Sequence, residues 1–218
     1  RRRPVFFFAA KRYPGAMKKE PSTVVTPAPG WIEAGHEWAE RAAGALGDLA
    51  MRADHVGSTA VPDLPAKDVI DIQALVFRLN DQDICERLVG AGFRRVETVA
   101  GDPPAPDTAA VLGADDWRKL FFREPKGERR VFLHVRRNGA ASARNTLLLR
   151  DYLRDDAAAR RDYGAFKQAL AEKTRKDREA YQAIKAPFIA TALRAAEGWA
   201  ELTRWAPGAP DAYWRSEP

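Results

Sequence analysis

The fold of this chain is decided by two neighbouring stretches, His55-Val-Gly-Ser-Thr-Ala-Val-Pro62 and Ala66-Lys-Asp-Val-Ile-Asp-Ile-Gln73. They predict a strand, a Gly-Ser turn and a second strand that carries an acid. Gly57 lets the backbone come close to a ligand. Ser58 and Thr59 offer hydroxyl and N–H groups where a short helix or turn begins. Asp71 stands on the neighbouring strand, where its carboxylate could hold a metal ion. The alternative is a tight turn between two core strands.

Side-chain alternation defines two faces of the second strand. Its apolar face comprises Ile70, Ile72, Ala74 and Val76. Asp71 and Gln73 share the opposite face, which Asp68 does not join. Metal-dependent nucleotidyl transfer usually needs two or three carboxylates around Mg²⁺. The partner position here holds the neutral Gln73, which argues against a catalytic metal.

Composition is typical of a globular domain with a substantial core. The chain has 218 residues, of which 45% are hydrophobic and 30% are charged. Its apolar runs are all shorter than the roughly 20 residues that span a bilayer, so a membrane partner is not expected. A single cysteine, Cys85, cannot form an internal disulfide, which fits a cytoplasmic location.

Positive charge is concentrated at the start of the chain. The net charge is +6, and residues 1–19 hold no acid but contain Arg1, Arg2, Arg3, Lys11, Arg12, Lys18 and Lys19. Removing these seven charges leaves −1, so nucleic acid is not an expected partner of the globular part. Residues 1–16 are interpreted as a non-native leader, and residues 17–30 as an extended lead-in. The globular domain is predicted over 31–205 and a tail that packs back over 206–218.

Hydrophobic periodicity and turn residues place the elements along the chain. Helices are predicted over 31–46, 81–90, 142–154, 156–174 and 177–204. Strands are predicted over 49–56, 68–77, 93–98, 117–124 and 129–137. Residues 100–115 are rich in Pro, Ala and Asp and are predicted to form a mobile loop.

Several basic side chains could meet the Gly-Ser turn in one anion pocket. His134 and Arg136 lie on the polar face of their predicted strand, and Arg123 lies on the strand before it. Lys167 and Lys185 each follow a tyrosine by four residues on a helix, and they could reach inward to a phosphate. The alternatives are a surface histidine and lysines that extend to solvent.

The motifs together resemble the GrpB family, from about residue 24 to 195. The residues that carry the resemblance are His55 to Pro62, Ala66-Lys67, Val69 to Ile72, Phe121 to Arg123, Leu133 to Val135, Leu149 to Leu153, Lys167, and Tyr181 to Phe188. This resemblance implies an α/β fold with a nucleotidyltransferase-like mixed sheet, flanking helices and a C-terminal helical part.

Within that family, the chain is most similar to the GrpB-type domain fused behind dephospho-coenzyme A kinase in actinobacteria. Lys67 to Gln73 and the tryptophan-rich segment Trp199 to Trp205 carry this likeness. The kinase P-loop G-x-x-x-x-G-K-S/T is absent from the sequence, so the chain by itself is not expected to phosphorylate dephospho-coenzyme A. Asp63 and Asp68 replace a usual Gly and Pro of the family, and Gln73 removes a second acid.

The sequence therefore supports three hypotheses. The first is a domain that binds a nucleotide or another phosphorylated small molecule. It would act as an accessory domain of coenzyme A metabolism beside a dephospho-coenzyme A kinase domain. Its phosphate-binding residues would be Gly57, Ser58, Thr59, Lys67, Arg123, His134, Arg136, Lys167 and Lys185.

The second hypothesis is an enzyme, a Mg²⁺-dependent nucleotidyltransferase. Asp71 would be its catalytic residue and metal ligand, with Glu97 or Asp116 as the second carboxylate. The third is a folding or oligomerisation module whose pocket is degenerate.

Overall fold

A computed structural model describes residues 23–102, 113–174 and 177–213 of the chain. The helices are α1 (Trp31–Leu46), α2 (Asp81–Gly90), α3 (Ala141–Asp155), α4 (Ala157–Thr174) and α5 (Arg178–Thr203). The strands are β1 (Ala50–Val56), β2 (Ile70–Val76), β3 (Arg94–Arg95), β4 (Leu120–Arg123) and β5 (Val131–Arg137). The leader 1–16, the first part of the lead-in, loop residues 103–112 and the last residues of the tail lie outside the described ranges.

The five strands form one mixed sheet in the order β1-β2-β5-β4-β3. The β2–β5 pair is parallel and the other three pairs are antiparallel. Asp71 pairs in register with Phe132, and Gln73 with His134. Residues in register share a face of the sheet, so the polar residues of β2 and β5 lie side by side. The predicted mixed α/β class is confirmed.

The core lies on the opposite face of this sheet, which α1 and α2 cover. The alternation predicted for β2 is confirmed, because Ile70, Ile72 and Ala74 are fully buried in the main hydrophobic cluster. The polar face of β2 is covered at one end by α3, where Ala140 and Ala143 pack on Leu75. Removing apolar surface from water contributes about 25 cal/mol per Å², so each buried large aliphatic side chain stabilises the fold by about 1.5–3 kcal/mol.

The C-terminal helices pack on the loop that follows the Gly-Ser turn. Val61 and Leu64 of this loop join Tyr163 and other helical residues in a second hydrophobic cluster. Gly164 makes this approach possible, because a Cβ atom there would lie 3.0 Å from Pro65 Cδ. Helix α4 therefore sits directly against the segment between β1 and β2.

The segment after α5 returns to the outer edge of β1. Ala53 and Ala212 exchange two backbone hydrogen bonds of 2.7 and 2.9 Å. The neighbouring carboxylate, Asp211, accepts a 2.7 Å hydrogen bond from the His55 N–H. Arg150 donates to the His55 carbonyl at 3.1 Å, so side chains from distant segments hold both backbone groups of His55.

Several predicted boundaries differ from the structure, most clearly those of β3 and β4, and the residue that caps α2 also differs. Strand β3 covers only two residues rather than 93–98, and β4 begins at Leu120 rather than at residue 117. Helix α2 is capped by Asn80, whose side chain accepts from the Gln82 N–H at 3.1 Å, and not by Asp81. Across the described ranges, every helix is too short or too polar to cross a membrane.

Candidate functional site

The turn at Gly57 places backbone directly against Asp71. Gly57 has φ of 72°, a left-handed conformation that side chains rarely adopt. A Cβ atom at this position would lie 2.6 Å from Asp71 Oδ2. Both constraints require glycine, and the group that this backbone approaches is the Asp71 carboxylate. Ser58 follows in a half-buried position and opens the 3-10 turn Ser58–Ala60.

The Thr59 hydroxyl is already bonded within the protein. It donates to the Val69 carbonyl at 3.0 Å and lies 3.0 Å from His55 Nε2. Because the hydroxyl proton goes to Val69, the ring N–H of His55 is the donor to Thr59. Burial lowers the pKa of His55 to about 3, which keeps the ring neutral. Thr59 therefore fixes the turn, and its hydroxyl is not available to a ligand.

Asp71 and His134 form a pair on the polar face of the sheet. Asp71 Oδ1 lies 3.4 Å from His134 Nε2, and the two side chains are 28% and 15% exposed. Burial raises the pKa of Asp71 to about 6, although neighbouring cations led by Lys185 and Lys119 oppose the shift. Burial also lowers the pKa of His134, and Lys119 and Arg136 add to that effect. At neutral pH the pair is therefore mainly a carboxylate beside a neutral imidazole.

The other predicted polar residues of this face belong to an internal network. Arg136 is 4% exposed and donates to Gln73 Oε1 at 2.7 Å and to Asp102 Oδ2 at 2.9 Å. Gln73 in turn donates to the Ala143 carbonyl at 3.2 Å. Lys119 also pairs with Asp102. Arg136 was predicted to bind phosphate, but the structure commits its guanidinium to Asp102 and Gln73.

The two helical lysines reach the Asp71 side of the sheet. Lys167 on α4 is only 2% exposed, and its Nζ has no hydrogen-bond partner among the described residues. Burial lowers the pKa of Lys167 to about 6, and the charge of Lys185 adds to this effect while that of Asp71 opposes it. The Tyr163 phenol raises the pKa of the half-buried Lys185. Of the two alternatives that the sequence left open for Lys167, the structure shows the inward orientation and not extension to solvent.

Lys67 and Arg123 each lie against an aromatic ring. Lys67 Nζ lies 4.0 Å from the Tyr181 ring centroid, and its charge acts on Lys167. Arg123 lies on the same face at the end of β4, where it stacks 4.9 Å from the Phe132 ring and pairs with Glu124. We use the name Asp71 site for the residues that the structure brings together, which are Gly57, Ser58, Lys67, Asp71, His134, Lys167 and Lys185.

The two carboxylates suggested as partners of Asp71 are not beside it. Asp116 contacts Arg137, which pairs with Val76, five residues or about 16 Å along β2 from Asp71. Glu97 follows β3, which is three strands or about 14 Å away from β2 across the sheet. Both suggestions were wrong, because Asp116 lies near the other end of β2 and Glu97 follows a strand three positions away in the sheet.

The donor atoms at the Asp71 site do not fit a magnesium ion. Mg²⁺ prefers carboxylates and other oxygen ligands, and Asp71 is the only carboxylate of the site. The Gln73 oxygen and the Asp102 carboxylate are held by Arg136 and Lys119. Within the described ranges, the His, Cys, Asp and Glu side chains make no group of three or more that could hold a metal ion.

A separate apolar pocket of about 300 Å³ lies under the lead-in to α1. Its lining includes Pro27, Pro29, Trp31, Thr59 and Val61. Its lining contains none of the charged residues of the Asp71 site.

Comparison with known proteins gives consistent matches. The family model for GrpB protein matches residues 21–195. The chain is 36% identical over 202 residues to a protein named dephospho-CoA kinase from Mycolicibacterium paratuberculosis, covering 88% of this chain and 50% of that protein. It is 36% identical over 147 residues to a UPF0157 protein from Deinococcus radiodurans, covering 67% of this chain and 68% of the other. The chain thus spans about half the length of the kinase-named relative.

A crystal structure of the conserved protein GrpB from Enterococcus faecalis has the same fold. The TM-score is 0.64 at 24% sequence identity, and the match covers 81% of this chain and 99% of the other. The nearly complete coverage of that protein supports the fold assignment for the sheet and the helices that frame the Asp71 site.

Proposed function

This chain belongs to the GrpB family, and we propose that it binds a nucleotide or another phosphorylated small molecule at the Asp71 site. The observation that carries the proposal is Lys167, a buried amine without a hydrogen-bond partner among the described residues. Buried amines are costly unless they are paired. A phosphate oxygen is the type of acceptor that would satisfy Lys167.

The surrounding geometry supports the same ligand class. The Gly57 turn brings backbone against Asp71, and Ser58 opens the turn beside it. Lys67 and Lys185 add positive charge from two other segments, as the effect of each on the pKa of Lys167 indicates. Turns of this type with nearby cations commonly hold phosphate groups.

The relatives suggest where to look for the ligand. Proteins named dephospho-CoA kinase contain a segment similar to this chain and about as much additional sequence. We therefore include dephospho-coenzyme A and coenzyme A among the candidate ligands, and a dephospho-coenzyme A kinase domain as a candidate partner. An accessory role in coenzyme A metabolism follows if either ligand binds.

Thermal denaturation with a panel of ligands tests the proposal. The panel comprises ATP, UTP, AMP, dephospho-coenzyme A and coenzyme A, each with and without Mg²⁺. A ligand that binds only the folded protein raises the melting temperature by mass action. At a free concentration of 100 times its Kd, the ligand adds about 2.7 kcal/mol to the free energy of unfolding. The shift is expected to fall in Lys185→Gln and to persist in Lys173→Met, an exposed position of the same helical region. A folded protein that no phosphorylated compound stabilises would refute the proposal and favour a structural module.

A further inference from the structure

We propose that Arg150 and Arg154 on α3 are positioning residues of the Asp71 site, which hold the Gly57 turn (residues 57–60) in the shape that receives a phosphate group. They act through the backbone of the turn and not by contact with the ligand. The proposal rests on the proposed function and adds the side chains that set the geometry of its turn. It also gives a role to the motif Leu149 to Leu153, which supplies no residue of the Asp71 site.

The two arginines bind backbone carbonyls on both sides of the turn. Arg150 Nη1 donates a 3.1 Å hydrogen bond to the carbonyl of His55, two residues before Gly57. Arg154 Nε donates a 2.9 Å hydrogen bond to the carbonyl of Ala60, three residues after Gly57. Because the arginines are four residues apart on one helix, their side chains lie on the same side of it. One side of α3 therefore holds both ends of the turn.

The backbone between these two carbonyls is the part of the turn that would meet a phosphate. The turn Ser58–Ala60 is closed by the Val61 N–H, which donates to the Ser58 carbonyl at 3.3 Å. The first N–H groups of a helical turn have no acceptor within the turn and can bind an anion. If one backbone residue has to become ordered when the ligand binds, the affinity falls by about tenfold. Carbonyls held at both ends of the turn reduce that loss.

A carboxylate and an indole hold the arginines in place. Asp151 Oδ1 accepts a 2.7 Å hydrogen bond from Arg150 Nε and lies 3.9 Å from Arg154 Nη1. Asp151 Oδ2 accepts a 3.1 Å hydrogen bond from Trp205 Nε1. Asp151 therefore links both arginines to the segment that follows α5. A guanidinium held in this way loses little freedom when it binds a carbonyl.

Arg154 is the better of the two arginines for a test. Its side chain is 35% exposed, so its replacement is expected to leave the protein folded. The Arg150 side chain is 4% exposed and lies 3.7 Å from carboxylate oxygens of both Asp54 and Asp211. Removing a buried charge from such a group strongly destabilises a protein, and the loss of stability would obscure the effect on the turn.

A matched control comes from the same helix. Arg144 pairs through both of its terminal nitrogens with Glu197 on α5 and makes no contact with the Gly57 turn among the described residues. Arg144→Met therefore removes an α3 arginine and an ion pair without changing the hydrogen bonds of the turn. Arg154→Lys keeps the positive charge and a donor that can reach the Ala60 carbonyl.

Hydrogen exchange measured by mass spectrometry, together with isothermal titration, tests the proposal. In Arg154→Met, the amides of residues 58–61 should exchange at least about fivefold faster, since one hydrogen bond that holds the turn is lost. The titrations use ATP, UTP, AMP, dephospho-coenzyme A and coenzyme A. Each compound that binds the wild-type protein should bind Arg154→Met about tenfold more weakly. Arg154→Lys should recover part of both effects, and Arg144→Met should match wild type in both.

The outcomes separate this proposal from the proposed function. Unchanged exchange of residues 58–61 in a folded Arg154→Met would overturn the positioning role whether or not a ligand binds. Faster exchange with wild-type affinity for every compound would also overturn it, because the contact would then serve stability alone, and the proposed function would stand. If the folded wild-type protein binds none of the five compounds, both proposals fail.

Discussion

Replacing Lys167 with methionine should make the protein more stable. The amine is 2% exposed, and burial lowers its pKa to about 6 from 10.5 in the unfolded chain. At pH 7 the native state must keep the amine mostly deprotonated, which costs about 5 kcal/mol at 1.36 kcal/mol per pKa unit. Methionine has a similar length and no charge. Some of the gain is offset by loss of the contact between the amine and the Tyr163 ring, whose centroid lies 4.8 Å from Lys167 Nζ.

Replacements of buried ions by apolar residues are often stabilising by about 1–4 kcal/mol. We therefore expect Lys167→Met to add about 1–3 kcal/mol to the free energy of unfolding, which corresponds to a melting temperature about 3–9 °C higher for a chain of this size. Urea and thermal denaturation measure both quantities, with Lys173→Met as an exposed control in the same helix. The control should stay within about 0.5 kcal/mol of wild type.

The stability that Lys167→Met gains over wild type should change with pH in a definite direction. Between pH 6 and 10.5 the unfolded chain binds the Lys167 proton and the folded protein does not, so this lysine makes stability rise with pH. The advantage of Lys167→Met should be largest near pH 6 and should decline towards pH 10. If Lys167→Met is folded but less stable than wild type at pH 7, Lys167 is charged and paired in the native protein and the reasoning is refuted.

Substitutions at three other positions test separate features of the structure. Gly57→Ala should cost about 1–3 kcal/mol in urea denaturation, because of its φ of 72° and the 2.6 Å approach to Asp71; an unchanged midpoint would contradict this. Asp71→Asn should raise the melting temperature at pH 7.5 and much less at pH 4, since the raised pKa of about 6 means that ionisation costs stability; equal shifts would refute it. Asp211→Ala should cost about 1–3 kcal/mol in thermal denaturation by leaving the His55 N–H without its acceptor, and Asp211→Asn should recover most of that loss.

Local patterns were sufficient to predict the strands, the helices and the Gly57 turn. Alternation in β2 assigned Asp71 and Gln73 to one face, since a period of two leaves no other arrangement. The tyrosine-lysine spacing on α4 left Lys167 either pointing inward or extending to solvent, and the structure shows the inward orientation. These features depend on residues within one element, and the sequence alone contains that information.

The polar network could not be predicted in the same way. Asp102 lies in a Pro- and Asp-rich segment whose composition predicts a mobile loop. In the structure its carboxylate forms ion pairs with Lys119 and Arg136. The Thr59 hydroxyl was predicted to bind phosphate, but it is hydrogen-bonded to the Val69 carbonyl and to His55 Nε2. Such partners depend on which strands become neighbours, and that order is set by packing of the whole chain.

The C-terminal segment that pairs with β1 is synthesised long after β1, which affects folding on the ribosome. His55 receives its Asp211 contact from 156 residues downstream. A ribosome adding 5–20 residues per second needs about 8–30 s to make that length of chain. For this time the nascent protein contains β1 without the segment that closes its outer edge. An uncovered strand edge can pair with another chain, so the interval before residue 212 is made is when this protein is most exposed to misassembly.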